Sequence, residues 1–269
     1  MKRVAAIQMA SGPNIEANLI EAGRSIRAVT EAGAKLIVLP ENFALMGLSE
    51  TDNLKFAEED GVGKIQDFLS EQAKKHNAWI VGGTTPIISD EAGKVNAACL
   101  VFNDKGERVA RYDKIHLFDV EIMDSGESYT ESMTMKPGKE AVVVDSPFGK
   151  LGLAICYDLR FPELFRTLLD KGAEIFVVPS AFTAITGRAH WETIVRARAI
   201  ENLSFVIAAA QGGYHVSGRE TYGDSMIVDP WGTVLDRLPS GSGFVVADID
   251  KERLNNIRRN FPAIEHRKL

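Results

Sequence analysis

Three residues of different chemistry each stand just past the end of a short apolar run. Glu41 follows Leu36-Ile37-Val38-Leu39, Lys114 follows residues 108–112, and Cys156 follows residues 151–155. A thiol, a carboxyl and an ammonium together offer a nucleophile, a proton carrier and a cation for a developing oxyanion, which is equipment for acyl transfer. In open α/β sheets ligands collect outside the carboxyl ends of the strands, so three arrivals there suggest one site. Cys156 has the sharpest local setting. The run Gly152-Leu153-Ala154-Ile155 ends in it, and the polar stretch to Pro162 opens a helix expected over residues 162–169. A residue on such a strand-to-helix turn is presented above the sheet, and the helix N-terminus favours a thiolate. Taken singly, each residue has an ordinary reading as a core thiol, a capping or ion-paired carboxylate, or a solvated lysine. Their shared position is what carries the argument.

The elements that must hold these residues alternate in type. Residues 4–9 are expected as a buried strand, and residues 14–32 as an amphipathic helix with Ile15, Leu19, Ala22, Ile26 and Val29 on one stripe. Strand character recurs over residues 36–39, 78–82, 95–102, 108–112, 141–144, 151–155, 174–178, 205–210, 225–228, 234–236 and 244–249. Further helices are expected over residues 63–76, 162–169, 189–203 and 251–259. The turn at residues 103–107 makes a hairpin, so some strands pair antiparallel. Residues 119–138 read as one long polar loop carrying Glu121, Glu127 and Glu131, and loops of that length are usually functional or disordered. With no linker or short repeat, the pattern argues one α/β domain over residues 1–269, with residues 251–269 a C-terminal helix and tail. Two mixed sheets packed face to face, with helices outside, suit that many strands.

Composition narrows the partners. The 269 residues, 45% hydrophobic and 25% charged, suffice for a sizeable core in a soluble globular protein. A formal charge of -6 with both signs interspersed leaves no broad positive face, so neither nucleic acid nor a membrane is an expected partner. Cys99 and Cys156 are too few for a disulfide framework, which points to a reducing, cytoplasmic setting. Met1-Lys2-Arg3 has the charge of a signal peptide start, but Gln8 and Ser11-Gly12-Pro13 break the run behind it.

Leu39-Pro40-Glu41-Asn42, Tyr112-Asp113-Lys114-Ile115-His116-Leu117-Phe118 and Ile155-Cys156-Tyr157-Asp158-Leu159-Arg160-Phe161-Pro162-Glu163 resemble the three signature segments of the nitrilase superfamily of carbon-nitrogen hydrolases. Residues 181–183 with Thr186-Gly187, Ala189-His190-Trp191-Glu192, residues 196–202 and Asp229-Pro230-Trp231-Gly232 extend the resemblance to its Nit branch. Within that branch the chain looks most like the deaminated glutathione amidases, with the omega-amidases next. The resemblance implies a four-layer α-β-β-α sandwich, usually dimeric or of higher homo-oligomeric order, working without metal or organic cofactor. It carries over Glu41 as general base, Lys114 as oxyanion donor, Cys156 as nucleophile and Glu131, in Thr130-Glu131-Ser132, as the second glutamate of many members. The implied reaction converts a small linear carboxamide, deaminated glutathione or a related 2-oxo acid amide, to the carboxylate and ammonia through a thioester; omega-amidase action on 2-oxoglutaramate, N-carbamoyl amine hydrolysis and nitrile hydrolysis, which share the same catalytic residues, are the alternatives.

Substrate recognition is expected from Tyr157, Arg160, Phe182, Thr183 and Thr186 around Cys156; a guanidinium such as that of Arg160 can clamp a carboxylate in bidentate fashion. A thiol-imidazole site using His116 or His190 is the competing chemistry, with His116 in this family expected to buttress the lysine loop. His76, His215 and His266 are scattered without metal-ligand spacing. Cys99, among apolar neighbours, reads as an inert core thiol. A catalytically silent interaction scaffold is the non-enzymatic alternative, against which stand the intact Glu41, Lys114 and Cys156.

Overall fold

The central strands are apolar along their whole length, and side chains alternate between the faces of a strand, so both faces must be covered. The computed structural model, which describes residues 2–123 and 126–268, shows how. Val4 and Ala6 of strand Lys2–Gln8 face one buried cluster while Ala5 and Ile7 face another. The same division separates Leu36 and Val38 from Ile37, and Cys99 and Val101 from Ala98 and Leu100. One cluster fills the space between the two sheets and continues under the helices of the second, and the other lies between the first sheet and its helices.

The first sheet runs Gly243–Ile249, Lys2–Gln8, Leu36–Val38, Trp79–Val81, Val95–Phe102. Its last strand carries Trp79–Val81 and Thr85–Ile88 on one edge and Arg108–Asp113 on the other. The second sheet runs Val234–Leu238, Ser225–Val228, Phe205–Ala210, Ile175–Ser180, Gly149–Leu153, Val143–Ser146. Each sheet has three parallel strands at its heart, Lys2–Gln8, Leu36–Val38 and Trp79–Val81 in one, Gly149–Leu153, Ile175–Ser180 and Phe205–Ala210 in the other. Helices Ile15–Glu31 and Lys64–His76 cover the first sheet through Leu19, Ala22, Ile26, Ile65 and Leu69. Helices Pro162–Asp170 and Ala184–Asn202 cover the second through Phe165, Leu168, Trp191 and Val195. The layers therefore stack as the expected α-β-β-α sandwich.

Several departures from the sequence reading have physical causes. The long loop after Asp119 folds on itself as a hairpin, Asp119–Ile122 with Glu127–Thr130, followed by a 3-10 turn, Glu131–Met133. Its side chains alternate only between half-buried and exposed, so no apolar stripe marks it. A second hairpin, Gly212–Tyr214 with Glu220–Tyr222, was equally invisible to that reading. The helix expected over residues 189–203 begins at Ala184, because the Thr183 side chain caps it by accepting from the Thr186 N–H. Gly187, which resembles a helix breaker, lies in its first turns since a Cβ there would sit 2.3 Å from Tyr222. Helix Lys251–Asn260 docks on its own chain: Leu254 is buried, Arg253 pairs with Asp229 and Arg258 donates to the Leu203 and Ala173 carbonyls. Among the described residues no helix is long and apolar enough to cross a membrane.

Candidate active site

Parallel strands of both sheets end at the same edge of the sandwich, where Met9 and Gln211 bridge one sheet to the other. Glu41 and Cys156 arrive there from Leu36–Val38 and Gly149–Leu153, and Lys114 follows Arg108–Asp113. The three expected residues converge. Lys114, almost wholly buried, donates from Nζ to Glu41 Oε1 at 2.8 Å and to both Glu131 oxygens at 2.9 Å. Glu131 Oε2 also accepts from the Phe118 N–H at 2.7 Å, so the polar hairpin is what brings the second glutamate to the lysine.

Cys156 occupies the left-handed region at φ 46°. A residue with a Cβ rarely stays there unless its surroundings hold it. Asp158 does the holding. Wholly buried, it accepts from the Ile155 N–H (2.8 Å), the Tyr112 hydroxyl (2.6 Å) and the His116 N–H (3.1 Å), and pairs with His116 Nδ1 at 2.7 Å. One carboxylate thus ties the cysteine turn to the lysine segment. On the other flank Gln211 donates to the Glu41 carbonyl at 3.0 Å and to Ser11 Oγ at 2.8 Å, fixing the glutamate turn.

The electrostatics set the resting protonation. Burial, then the charge of Glu41, push the Cys156 thiol well above its ordinary range, against the pull of Lys114 and of the Ala181 N–H 3.5 Å from Sγ. The helix N-terminus does not win, so the thiolate expected there is a neutral thiol at rest. Burial opposes the Lys114 ammonium, yet Glu131 and Glu41 outweigh it and hold its pKa well above the usual value. Glu131 is raised by burial and by Glu41, with Lys114 opposing. His116 stacks on Phe161 at 3.7 Å and belongs to Asp158, while His190 belongs to Arg160. Neither imidazole has the thiol as a partner among the described residues.

Residues 3–259 match the sequence model of the carbon-nitrogen hydrolase family. The chain belongs to that family. Deaminated glutathione amidase of Synechocystis sp. (strain PCC 6803) is 43% identical over 266 residues, covering 98% of this chain and 97% of that protein. Its human counterpart is 41% identical over 268 residues, covering 98% and 82%. The crystal structure of the C. elegans NitFhit protein matches with a TM-score of 0.92 at 38% identity, over 99% of this chain and 65% of that one.

In this carbon-nitrogen hydrolase the buried cluster opens into a pocket of about 640 Å³, open solvent at its mouth included. Tyr157, Arg160, Phe182 and Thr186 line it as expected. Thr183 does not: it is buried as the helix cap. Arg160 lies over the Phe182 and Tyr157 rings at 5.0 and 5.8 Å and forms no ion pair among the described residues. Sequence reasoning missed Asp158, Gln211 and Arg219. Gln211 stands just past a strand end, the same signal that exposed Glu41 and Cys156. Asp158 lay within a quoted motif, whereas Arg219, between two three-residue strands, had no local signal.

Proposed function

We propose that the enzyme hydrolyses deaminated glutathione or a related 2-oxo acid amide, with Cys156 as nucleophile, Glu41 as general base and acid, and Lys114 as oxyanion donor. The observation that carries this reading is the buried ammonium shared by two carboxylates beside a thiol on a left-handed turn. Glu41 takes the thiol proton as sulfur attacks the amide carbonyl. The oxyanion forms between Lys114 and the Tyr157 backbone N–H, each such donor being worth about 3 kcal/mol in the transition state. Glu41 then protonates the departing nitrogen, and the C–N bond breaks to leave a thioester on Cys156. Water, deprotonated by Glu41, attacks the thioester; collapse releases the carboxylic acid and returns the proton to sulfur. Glu131 keeps Lys114 charged and oriented, and Arg160 binds a substrate carboxylate.

The leaving group depends on the substrate. Every amide of deaminated glutathione is substituted, so its 2-oxoglutaryl amide releases cysteinylglycine, whereas a primary 2-oxo acid amide releases ammonia. We also read residues 1–269 as one domain, because the two sheets share a core, working as a cytoplasmic homodimer or higher homo-oligomer. Both cysteines being free supports the reducing setting, and the family resemblance supports the assembly.

The test is a panel of deaminated glutathione, 2-oxoglutaramate, an N-carbamoyl amine and an aliphatic nitrile, following 2-oxoglutarate for the first two and ammonia for the others. The highest kcat/KM is expected on deaminated glutathione. Cys156→Ala should lose at least about 10⁴-fold in kcat while keeping its fold by circular dichroism. A folded Cys156→Ala protein with undiminished turnover would remove the nucleophile assignment.

A further inference from the structure

A second guanidinium, that of Arg219, lines the same pocket. Arg219, on the Gly212–Tyr214 and Glu220–Tyr222 hairpin, lies 5.1 Å over the Tyr129 ring and donates from Nη2 to the Ala181 carbonyl at 2.6 Å. Its Nε is buried and has no hydrogen-bond partner among the described residues. A buried donor left unsatisfied is unfavourable unless a ligand takes it. Tyr129 packs on Phe118, and Phe118 on Tyr157, so an aromatic wall runs from Arg219 to Arg160. Among the described residues neither arginine forms an ion pair, and Glu50, exposed at the rim, pairs with neither. Two guanidiniums without carboxylate partners, one at each end of a wall beside the nucleophile, fit a linear ligand with an anion at each end.

We propose that Arg219 is a specificity-determining residue that binds the carboxylate at the leaving-group end of the substrate, while Arg160 holds the acyl end. This rests on the amidase reading above and deepens it. Arg160 is in the nucleophile's own turn, so it stays beside the acyl group that sulfur retains. Arg219 comes from a separate hairpin, so the fragment it holds can depart without disturbing the thioester. Deaminated glutathione carries a carboxylate at each end; 2-oxoglutaramate carries one.

The experiment compares kcat/KM on deaminated glutathione with that on its C-terminal carboxamide, in the wild type, Arg219→Gln and Arg219→Lys. The wild type should prefer the carboxylate by about 10- to 100-fold, Arg219→Gln should bring the ratio near one, and Arg219→Lys should retain part of it. An unchanged ratio in Arg219→Gln overturns the proposal. So does an equal loss on both compounds through kcat, which would mean that Arg219 only positions Ala181 and, through its N–H, the thiol. If the wild type turns over neither compound, the substrate reading fails separately. Arg219 is then tested by protection of Cys156 from iodoacetamide with the dipeptide alanylglycine, which stands in for the leaving group without its thiol, against alanylglycinamide. An advantage of the free dipeptide lost in Arg219→Gln supports the proposal, while equal protection by dipeptide and amide, or an advantage that persists, overturns it.

Discussion

At Cys156 two charges pull in opposite directions, and the balance between them is testable. Glu41 and burial raise the thiol while Lys114 lowers it. A neutral thiol facing a carboxylate is the right resting state for a site whose base must take that proton during attack. Glu41→Gln should therefore move the Cys156 thiolate transition, followed by ultraviolet absorbance, to lower pH while turnover is lost. Lys114→Met should move it higher. A transition that stays in place in Glu41→Gln would show that Glu41 does not face the thiol. Asp158 acts one step further out, as a positioning residue. An amide in place of its carboxylate would turn a donor toward donors, and each orphaned partner costs about 1–3 kcal/mol. Asp158→Asn is expected to lower the thermal midpoint and kcat together, with a smaller change in KM.

The long helix Ala184–Asn202 shows how an element serves the site from a distance. Its cap, Thr183, pairs with Thr221 in an isolated bridge, and the Phe182 carbonyl accepts from the Tyr222 N–H at 2.9 Å. Phe182 at the pocket and the hairpin that carries Arg219 are thus one assembly, anchored by Trp191, whose ring meets Phe182 at 4.9 Å and whose Nε1 donates to the Asp224 carbonyl. Thr183→Ala removes a cap and should cost about 1 kcal/mol by denaturant titration. Gly187→Ala drives a methyl into Tyr222, an overpacking expected to cost about 1–3 kcal/mol. Because that clash pushes on the hairpin, the carboxylate preference of the enzyme should weaken in Gly187→Ala and survive in Thr183→Ala.

For the whole molecule, the groups sealed inside predict how stability depends on pH. Burial pushes the Cys99 thiol up to about 12, and burial with Asp158 raises the Tyr112 phenol well above its ordinary value. Cys156 and Lys114 are raised as well. Between the ordinary and the raised values the folded chain keeps protons that the unfolded chain releases, so stability falls as pH rises. The decline should start near pH 8.5, where unfolded thiols ionise, and steepen above about pH 10 as tyrosine and lysine join. Thermal midpoints across pH 7 to about 11 would check it, and Cys99→Ala should give a shallower slope between about pH 8.5 and 11 than the wild type. A midpoint that holds constant to pH 11 would contradict the sealed, protonated interior.

The sequence alone determined where the strands stop, and that sufficed for Glu41 and Cys156, which close buried strands, and for Lys114, which closes an edge strand with Tyr112 alone buried. It also determined the layers, because strands apolar on both faces demand cover on both. Residues brought in by polar segments were a different matter. Glu131 was legible only through family resemblance, since its hairpin has no buried stripe, and Arg219 was not legible at all. Thr183 shows the converse limit: a threonine that caps a helix and one that binds a ligand have the same sequence context until the helix start is known. Asp158 stood in plain view, yet its work of joining Ile155, Tyr112 and His116 needs three segments to be adjacent. Periodicity reports burial along one segment. Which segment ends coincide depends on sheet order and strand direction, and only the tertiary structure fixes those.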